Sequence, residues 1–259
     1  MRVTLLGTGT PEPDSRRMPA ACVVHTPLGP WLVDCGDGTL WQLLRAGIAP
    51  QSVQHLVFTH LHADHTLGYA PFVAGGRQLG RPALNVWGPS RTLQMHAMLR
   101  DFYADDGGSD SGLSGVTLKE YGAGILFDER GLMVDTLPVR HSTATYALRF
   151  RAEGRTVVHS SDTAQCEALV EFARGADILI HSAMAARGMR ALWGDRWEGI
   201  HAIMASPAEA GRTARLANVK RLVLVHLPPQ TDAADVLAEC REEFGGEIVV
   251  GEDLLTIAQ

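Results

Sequence analysis

Short apolar runs separated by glycine, proline and polar clusters make up most of the sequence. Such runs, rich in valine, leucine and isoleucine, predict β-strands. They lie at residues 2–6, 21–26, 31–34, 55–59, 84–87, 116–121, 131–139, 146–151, 155–159, 177–181, 221–225, 247–250 and 254–257. Segments with apolar residues three and four positions apart predict amphipathic helices at residues 39–46, 66–75, 91–103, 165–174, 207–217 and 233–244. Strands and helices alternate twice, which indicates an α/β protein.

Some boundaries in this pattern are specific expectations. Ser206 is expected to cap the helix that begins at Pro207. Gly75 and Gly76 are expected to end the helix of residues 66–75. Residues 105–115, rich in glycine, serine and aspartate, predict a loop.

Size, charge and cysteine usage narrow the class of protein. A chain of 259 residues with 46% hydrophobic content can form one large domain over residues 1–259. The net charge of -6 argues against binding of nucleic acid by general electrostatics, which needs clustered lysine and arginine. Four scattered cysteines without a Cys-x-x-Cys pair indicate reduced thiols. With no signal-peptide pattern and no apolar run of membrane-spanning length, we expect a cytoplasmic enzyme and no membrane partner.

The stretch of residues 59–65, Thr-His-Leu-His-Ala-Asp-His, has the composition of a metal site. A chain that leaves the preceding strand still extended points His60 and His62 to the same side, so they can share one ion. If the chain then turns into a helix, Asp64 and His65 point towards a second ion. Imidazole and carboxylate without thiolate suit zinc, with manganese or iron possible by the same logic. The alternative is a histidine-rich loop with structural histidines.

The pattern His60-x-His62-x-Asp64-His65 after a buried strand resembles the metallo-β-lactamase superfamily. The opening sequence LLGTGTP at residues 5–11 resembles the ribonuclease Z-like branch of that superfamily. The likeness extends over nearly the whole chain. It implies a four-layer αββα sandwich of two mixed sheets, with the metals at one edge.

The resemblance also implies a set of metal ligands. In that family an isolated histidine, an aspartate in a tight turn and a late histidine complete a two-metal site. The matching residues here are His141, Asp162 and His226, each of which follows an apolar or alternating run. The implied arrangement has one ion held by His60, His62 and His141, a second held by Asp64, His65 and His226, and Asp162 as the bridge. Asp34 matches a residue that orients the metal-bearing loop.

The implied chemistry is hydrolysis by a hydroxide that bridges two divalent ions. Asp64 and His201 are the expected catalytic residues, with Asp64 also a ligand. His201 is the candidate general acid for the leaving group. Ribonuclease Z enzymes place a histidine-containing motif before the helix that precedes the last ligand, and in that register the matching residue is Met204. The alternative for His201 is an ordinary loop histidine.

A small phosphodiester is the preferred substrate within the class of small anionic or ester molecules. Ribonuclease Z enzymes clamp transfer RNA with a long arm between the ligands that match His141 and Asp162, and only a short hairpin joins them here. We therefore expect no nucleic-acid partner. Aryl sulfate, lactone or thioester hydrolysis is the alternative on the same site, followed by ribonuclease Z-type processing. A non-catalytic metal-binding module and a di-iron redox enzyme are rival classes.

Two further segments allow more than one interpretation. Residues 184–204 mix methionine and tryptophan with arginine, which as a helix stripe would be core. Glycines interrupt the segment, so a pocket wall or a subunit contact is an equal alternative, and a homodimer is expected only from the family. Arg16 and Arg17 lie in a polar loop that is either a solvated connection or a contact for an anionic substrate.

Overall fold

The computed structural model describes residues 1–104 and 112–258. The strands are β1 (Arg2–Gly7), β2 (Ala21–Thr26), β3 (Gly29–Val33), β4 (His55–Val57), β5 (Leu84–Gly88), β6 (Val116–Glu120), β7 (Gly124–Glu129), β8 (Leu132–Pro138), β9 (Tyr146–Ala152), β10 (Arg155–His159), β11 (Ile178–Ser182), β12 (Arg221–Val225), β13 (Glu247–Val250) and β14 (Thr256–Ala258). The helices are α1 (Thr39–Arg45), α2 (Ala63–Thr66), α3 (Tyr69–Gln78), α4 (Thr92–Tyr103), α5 (Glu167–Phe172), α6 (Met189–Trp193), α7 (Arg196–His201), α8 (Pro207–Leu216) and α9 (Ala233–Arg241), and a 3-10 helix spans Pro50–Ser52.

The strands form two mixed sheets of seven strands each. The first has the order β14-β1-β2-β3-β4-β5-β6 and the second the order β13-β12-β11-β10-β9-β8-β7. Each sheet is antiparallel over one half, and its other half, β3 to β6 or β10 to β13, is parallel. The two halves of the chain therefore build similar sheets, as the alternation of strands and helices predicts.

Three apolar cores define four layers. One core lies between the sheets and takes side chains from both, including Val57 and Val223. The other two lie on the outer faces, where Leu56 packs below the helices of the first sheet and Leu222 below those of the second. Because neighbouring residues of β4 and β12 enter different cores, both faces of these strands are buried after their first residue, and the residues that follow His55 in β4 and Arg221 in β12 are all apolar. The predicted αββα sandwich is confirmed.

Several local predictions need correction. Strand β7 was not predicted from the sequence. It lies at the edge of the second sheet, pairs with β8 and leaves Ile125 largely exposed. The helix predicted for residues 66–75 is two helices, α2 and α3, and the second continues through Gly75 and Gly76. These glycines serve close packing, because a Cβ atom at Gly75 would lie 2.7 Å from a methyl of Leu40. Part of the loop predicted for residues 105–115 lies outside the described residues.

Other predictions hold. Ser206 caps α8 in a reciprocal capping box with Glu209. Cys22, Cys35, Cys166 and Cys240 are all free thiols. None of the helices in the described part of the chain has the length and apolar character needed to cross a membrane. Residues 184–204 include α6 and α7, whose Met189 and Trp197 are buried in the outer core of the second sheet, while His201 of the same segment lines a cavity. The segment thus contributes to the core, and the subunit contact stays a prediction.

Candidate metal centre

The seven predicted ligands gather where strands of both sheets end. His60 follows β4, His141 follows β8, Asp162 follows β10 and His226 follows β12. Strands β10 and β12 are both parallel to β11, and β8 has the same direction because β9 is antiparallel to both β8 and β10. The carboxyl ends of β8, β10 and β12 thus reach one edge of the second sheet, where residues distant in sequence meet, and His60 joins them from the first sheet.

The first group of donor atoms consists of three imidazole nitrogens. His62 Nδ1 lies 3.0 Å from His60 Nε2 and 3.2 Å from His141 Nε2. His60 is buried, whereas His62 and His141 are half-buried, so this side of the cluster faces the surface. The grouping is the one that the family resemblance implies for the first ion.

The second group consists of Asp64, His65 and His226, all buried. His226 Nε2 lies 3.1 Å from Oδ2 of Asp64 and 3.2 Å from Oδ2 of Asp162. Asp162 also lies within 4.8 Å of donor atoms of His60 and His65, which belong to different predicted groups. Its carboxylate therefore lies between the two groups, as a bridging ligand would.

Outer contacts determine which imidazole atoms face inward. The hydroxyl of Thr59 donates to Asp34 Oδ2, so it must accept the hydrogen bond of 3.0 Å from His60 Nδ1. His65 Nδ1 donates to Asp34 Oδ2 at 2.8 Å, and His141 Nδ1 donates to the carbonyl of Ile203 at 3.1 Å. The neutral forms of His60, His65 and His141 therefore each direct an Nε2 lone pair inward.

This arrangement fits a bound cation better than internal hydrogen bonding. His65 Nε2 is buried without a hydrogen-bond partner, since Oδ2 of Asp64 is 3.5 Å away and Oδ2 of Asp162 is 3.6 Å away. A tetrahedral zinc site with bonds of about 2.0–2.1 Å separates its ligand atoms by about 3.3 Å, which is close to the spacing here. Buried lone pairs and carboxylates that face one another are stabilised by positive charge, so the donor set fits divalent metal ions.

Without metal, protons supply that positive charge. Burial disfavours a charged His65, yet the carboxylates of Asp34 and Asp162 hold the pKa of His65 well above its usual range. Burial likewise opposes ionisation of Asp162, but His226 and His65 hold its pKa well below its usual range. Burial, reinforced by His65, holds the pKa of His60 well below the usual range. The charged forms of His65 and Asp162 and the neutral form of His60 are therefore favoured.

Two glycines allow the histidine-rich loop to approach the turn after β3. A Cβ atom at Gly68 would lie 2.1 Å from the carbonyl oxygen of Gly36, and one at Gly36 would lie 2.4 Å from that of Asp64. The backbone amide of Cys35 donates to the carbonyl of His65 at 2.8 Å. Backbone packing thus places Asp34 beside His65, which confirms the predicted location of Asp34 next to the metal loop.

Three other predicted residues have partners outside the cluster. Arg16 pairs with Asp14 and donates to the carbonyl of Pro229, and Arg17 donates to Thr8 Oγ1 and the carbonyl of Gly251. Both arginines therefore have structural contacts. His201 Nε2 lies 3.0 Å from Oε2 of Glu209.

The cavity beside His201, about 480 Å³, is lined by none of the seven ligands. The ring of His201 also stacks on Trp197. Its role as a general acid stays a prediction that these contacts do not favour.

The sequence of this chain is similar to those of known proteins. The family described as "Beta-lactamase superfamily domain" matches residues 31–227. A protein named Ribonuclease Z from Mycobacterium bovis (strain BCG / Pasteur 1173P2) is 32% identical over an alignment 272 residues long, which covers 98% of this chain and 96% of the relative. The chain belongs to the metallo-β-lactamase superfamily, in its ribonuclease Z-like branch.

Solved structures agree with the fold of this superfamily. The metallo-β-lactamase fold protein YhfI from Bacillus subtilis has a TM-score of 0.82 and 21% identity, with 98% of each chain covered. A diphosphatase from the PhnP family has a TM-score of 0.75 and 20% identity, with 100% of this chain and 97% of the other covered. As a member of the superfamily, the chain is a metal-dependent hydrolase.

The sequence analysis missed two contributors to the centre. Thr59 connects Asp34 to His60, and the carbonyl of Ile203 orients His141. Thr59 could have been found, because it lies between the buried strand and the first histidine. The contact of Ile203 has no sequence signal, since any residue supplies a backbone carbonyl.

Proposed function

We propose that the chain hydrolyses phosphodiesters at a centre of two divalent metal ions, with zinc preferred and manganese or iron possible. The observation that carries this proposal is the convergence of three inward Nε2 lone pairs, His62 Nδ1 and the carboxylates of Asp64 and Asp162. His60, His62 and His141 would hold one ion, Asp64, His65 and His226 the other, and Asp162 would bridge them. Bound ions supply a hydroxide at neutral pH and positive charge against the reacting phosphate.

The residues around the ligands hold the donor atoms in place. Asp34 accepts hydrogen bonds from the amide and hydroxyl of Thr59 and from His65, so a single carboxylate orients two ligands. Asp162 and His226 lie on the buried side of the centre, and the half-buried side at His62 and His141 would admit the substrate. General acid catalysis by His201 remains a proposal.

A small phosphodiester stays our preferred substrate, with RNA as the second candidate. The net charge of -6 and the short β9–β10 hairpin, in place of a long arm, support the small substrate. The name of the M. bovis relative, Ribonuclease Z, supports an RNA substrate. Binding of nucleic acid, which the sequence analysis did not expect, is therefore kept as the second proposal. Sulfate, lactone and thioester substrates follow. A cytoplasmic location and a homodimer are kept as predictions from the free thiols and the family.

The experiment is hydrolysis of bis(4-nitrophenyl) phosphate by zinc- or manganese-reconstituted protein. We expect turnover that the His60→Ala variant loses, because that variant removes a ligand from the first group. The control is Leu192→Gln, which changes an exposed residue that is not a predicted ligand and should retain the rate.

A precursor RNA with an unprocessed 3′ end is the second substrate to assay. Turnover of the RNA alone would replace the small phosphodiester by RNA. Full metal loading without turnover of either would overturn the phosphodiesterase proposal.

A further inference from the structure

A cavity of about 620 Å³ opens directly beside the half-buried side of the metal centre. Its wall nearest the centre is formed by Leu61 and His62, and Thr143 and Ala144 extend the wall after His141. We call it the α4 cavity, because helix α4 forms the opposite wall. It is larger than the cavity of about 320 Å³ on the Asp64 side, which is lined by Glu12, Asp14 and Asp37 among others.

The wall contributed by α4 is apolar. Met95, Met98, Leu99 and Phe102 line the cavity at spacings of three and four, and so lie on one helix face. Met95 and Leu99 also pack against the outer core of the first sheet, whereas Met98 is 64% exposed and Phe102 is 79% exposed. Large apolar side chains that remain exposed beside a reaction centre indicate a surface that is covered by a ligand.

The rim of the α4 cavity carries a positive charge. Arg91 lines the cavity, and its Nε donates to Oε1 of Gln94 at 3.3 Å. In the described part of the chain Arg91 forms no ion pair, in contrast to Arg16 or Arg187. Arg91 also has a φ angle of 80°, a conformation that is unfavourable for a side chain with a Cβ atom. An arginine at the rim that has a strained backbone and no carboxylate partner among the described residues favours an anionic ligand.

We propose that the α4 cavity binds an apolar ring of an anionic ester whose reacting group lies at the metal centre. Methionine side chains adapt to the shape of a ring and make favourable contacts between sulfur and aromatic faces. The part of the α4 wall formed by Met98 and Leu99 offers few hydrogen-bonding groups. It therefore suits an aromatic hydrocarbon or phenolic ring rather than a sugar. The inference rests on the proposed function, because it makes the cavity the binding site for the non-reacting part of that substrate.

The test compares two phosphate monoesters that differ only in the organic group. Binding of 1-naphthyl phosphate and of methyl phosphate to zinc-loaded protein is measured by titration calorimetry. We expect roughly 10-fold tighter binding of 1-naphthyl phosphate, since the ring leaves water. Met98→Gln should reduce this preference roughly 3-fold or more.

Leu192→Gln is the matched control for Met98→Gln. Leu192 is 59% exposed on α6, which does not line the α4 cavity, so the variant should keep the full preference. Equal binding of the two esters by the wild type would overturn the proposal. An equal preference in the wild type and Met98→Gln would also overturn it, because the ring would then bind elsewhere.

Arg91→Gln tests the charge at the rim with a neutral probe. The variant should weaken binding of 1-naphthyl phosphate while leaving binding of 1-naphthol unchanged, and an equal effect on both would overturn the role of Arg91.

The same preparations are assayed with bis(4-nitrophenyl) phosphate. Selective binding without turnover would uphold the α4 cavity as the ring-binding site and reject the phosphodiesterase. Turnover without selective binding would support the phosphodiesterase and reject the α4 cavity as the ring-binding site.

Discussion

His65 Nδ1 donates a hydrogen bond of 2.8 Å to Oδ2 of Asp34, and both side chains are buried. The same carboxylate accepts from the amide and the hydroxyl of Thr59, which in turn accepts from His60. Asp34 therefore helps to orient one predicted ligand in each group, His65 directly and His60 through Thr59.

Replacement of Asp34 by asparagine should weaken metal binding. The amide offers only one accepting oxygen, so at least one of the three hydrogen bonds to Thr59 and His65 is lost. We expect roughly 10- to 100-fold weaker zinc affinity, measured by competition with a chromogenic chelator. Asp37→Asn, at an exposed site in the same turn, is the control. An affinity equal to that of the wild type would show that Asp34 does not orient the ligands.

Metal uptake should release a proton from His65. Its pKa lies well above its usual range in the metal-free chain, so at pH 7 the imidazole is protonated and must lose that proton to bind a metal. We expect about one proton per chain from this residue at pH 7, with apparent zinc affinity that rises with pH. Calorimetry in buffers of different ionisation enthalpy measures the release, and an identical heat in all buffers would contradict the prediction.

Gly68→Ala should destabilise the fold by a steric effect alone. The added Cβ would lie 2.1 Å from the carbonyl oxygen of Gly36, and the φ angle of -78° suits alanine. We expect a loss of roughly 3 kcal/mol in the free energy of unfolding, measured in urea. Gly199→Ala is the matched control, because nothing lies within 4 Å of its added Cβ in α7. It should stabilise the protein by roughly 0.5–1 kcal/mol. Similar stability of the two variants would refute the close-packing argument.

His181 should make the protein less stable in acid. Burial lowers its pKa to about 4, so between pH 6.5 and 4 the unfolded chain binds a proton that the folded chain does not. The contribution of His181 to stability is fully present above pH 6.5 and is lost as the pH falls towards 4, by about 3 kcal/mol in total.

Urea unfolding at pH 7.5 and pH 5, with a chelator present at both, tests this contribution. The wild type should lose about 2 kcal/mol more than His181→Gln between the two pH values. The comparison between pH values removes any packing effect of the substitution. The same loss in both proteins would assign the acid sensitivity to other groups.

His201→Ala separates the two roles of this histidine. Its Nε2 contacts Glu209, which completes the cap of α8, so we expect a small loss of thermal stability and a change in rate of less than roughly 10-fold. A general acid contributes roughly 100-fold or more. A fall of that size in the rate on bis(4-nitrophenyl) phosphate, with metal content unchanged, would restore His201 as the proton donor.

The strands could be predicted from the sequence where burial leaves a local pattern. Strand β12 is apolar after Arg221 because Leu222 and Val223 enter different cores, and its predicted bounds match the structure. Strand β7 lacks such a pattern, since it lies at a sheet edge with Ile125 exposed. Gly75 failed as a stop signal because its role depends on Leu40 of a neighbouring helix. Edge pairing and close approach are long-range effects that local periodicity does not contain.

For the site, the sequence by itself determined the residue types and their positions at strand ends. The resemblance to the family placed His60, Asp162 and His226 in one cluster, and the structure brings their donor atoms together where strands of both sheets end. Only the tertiary structure decided which nitrogen of each imidazole faces inward, since that depends on partners such as the carbonyl of Ile203. It alone also placed the apolar face of α4 beside His62, because two segments distant in sequence form the walls of that cavity.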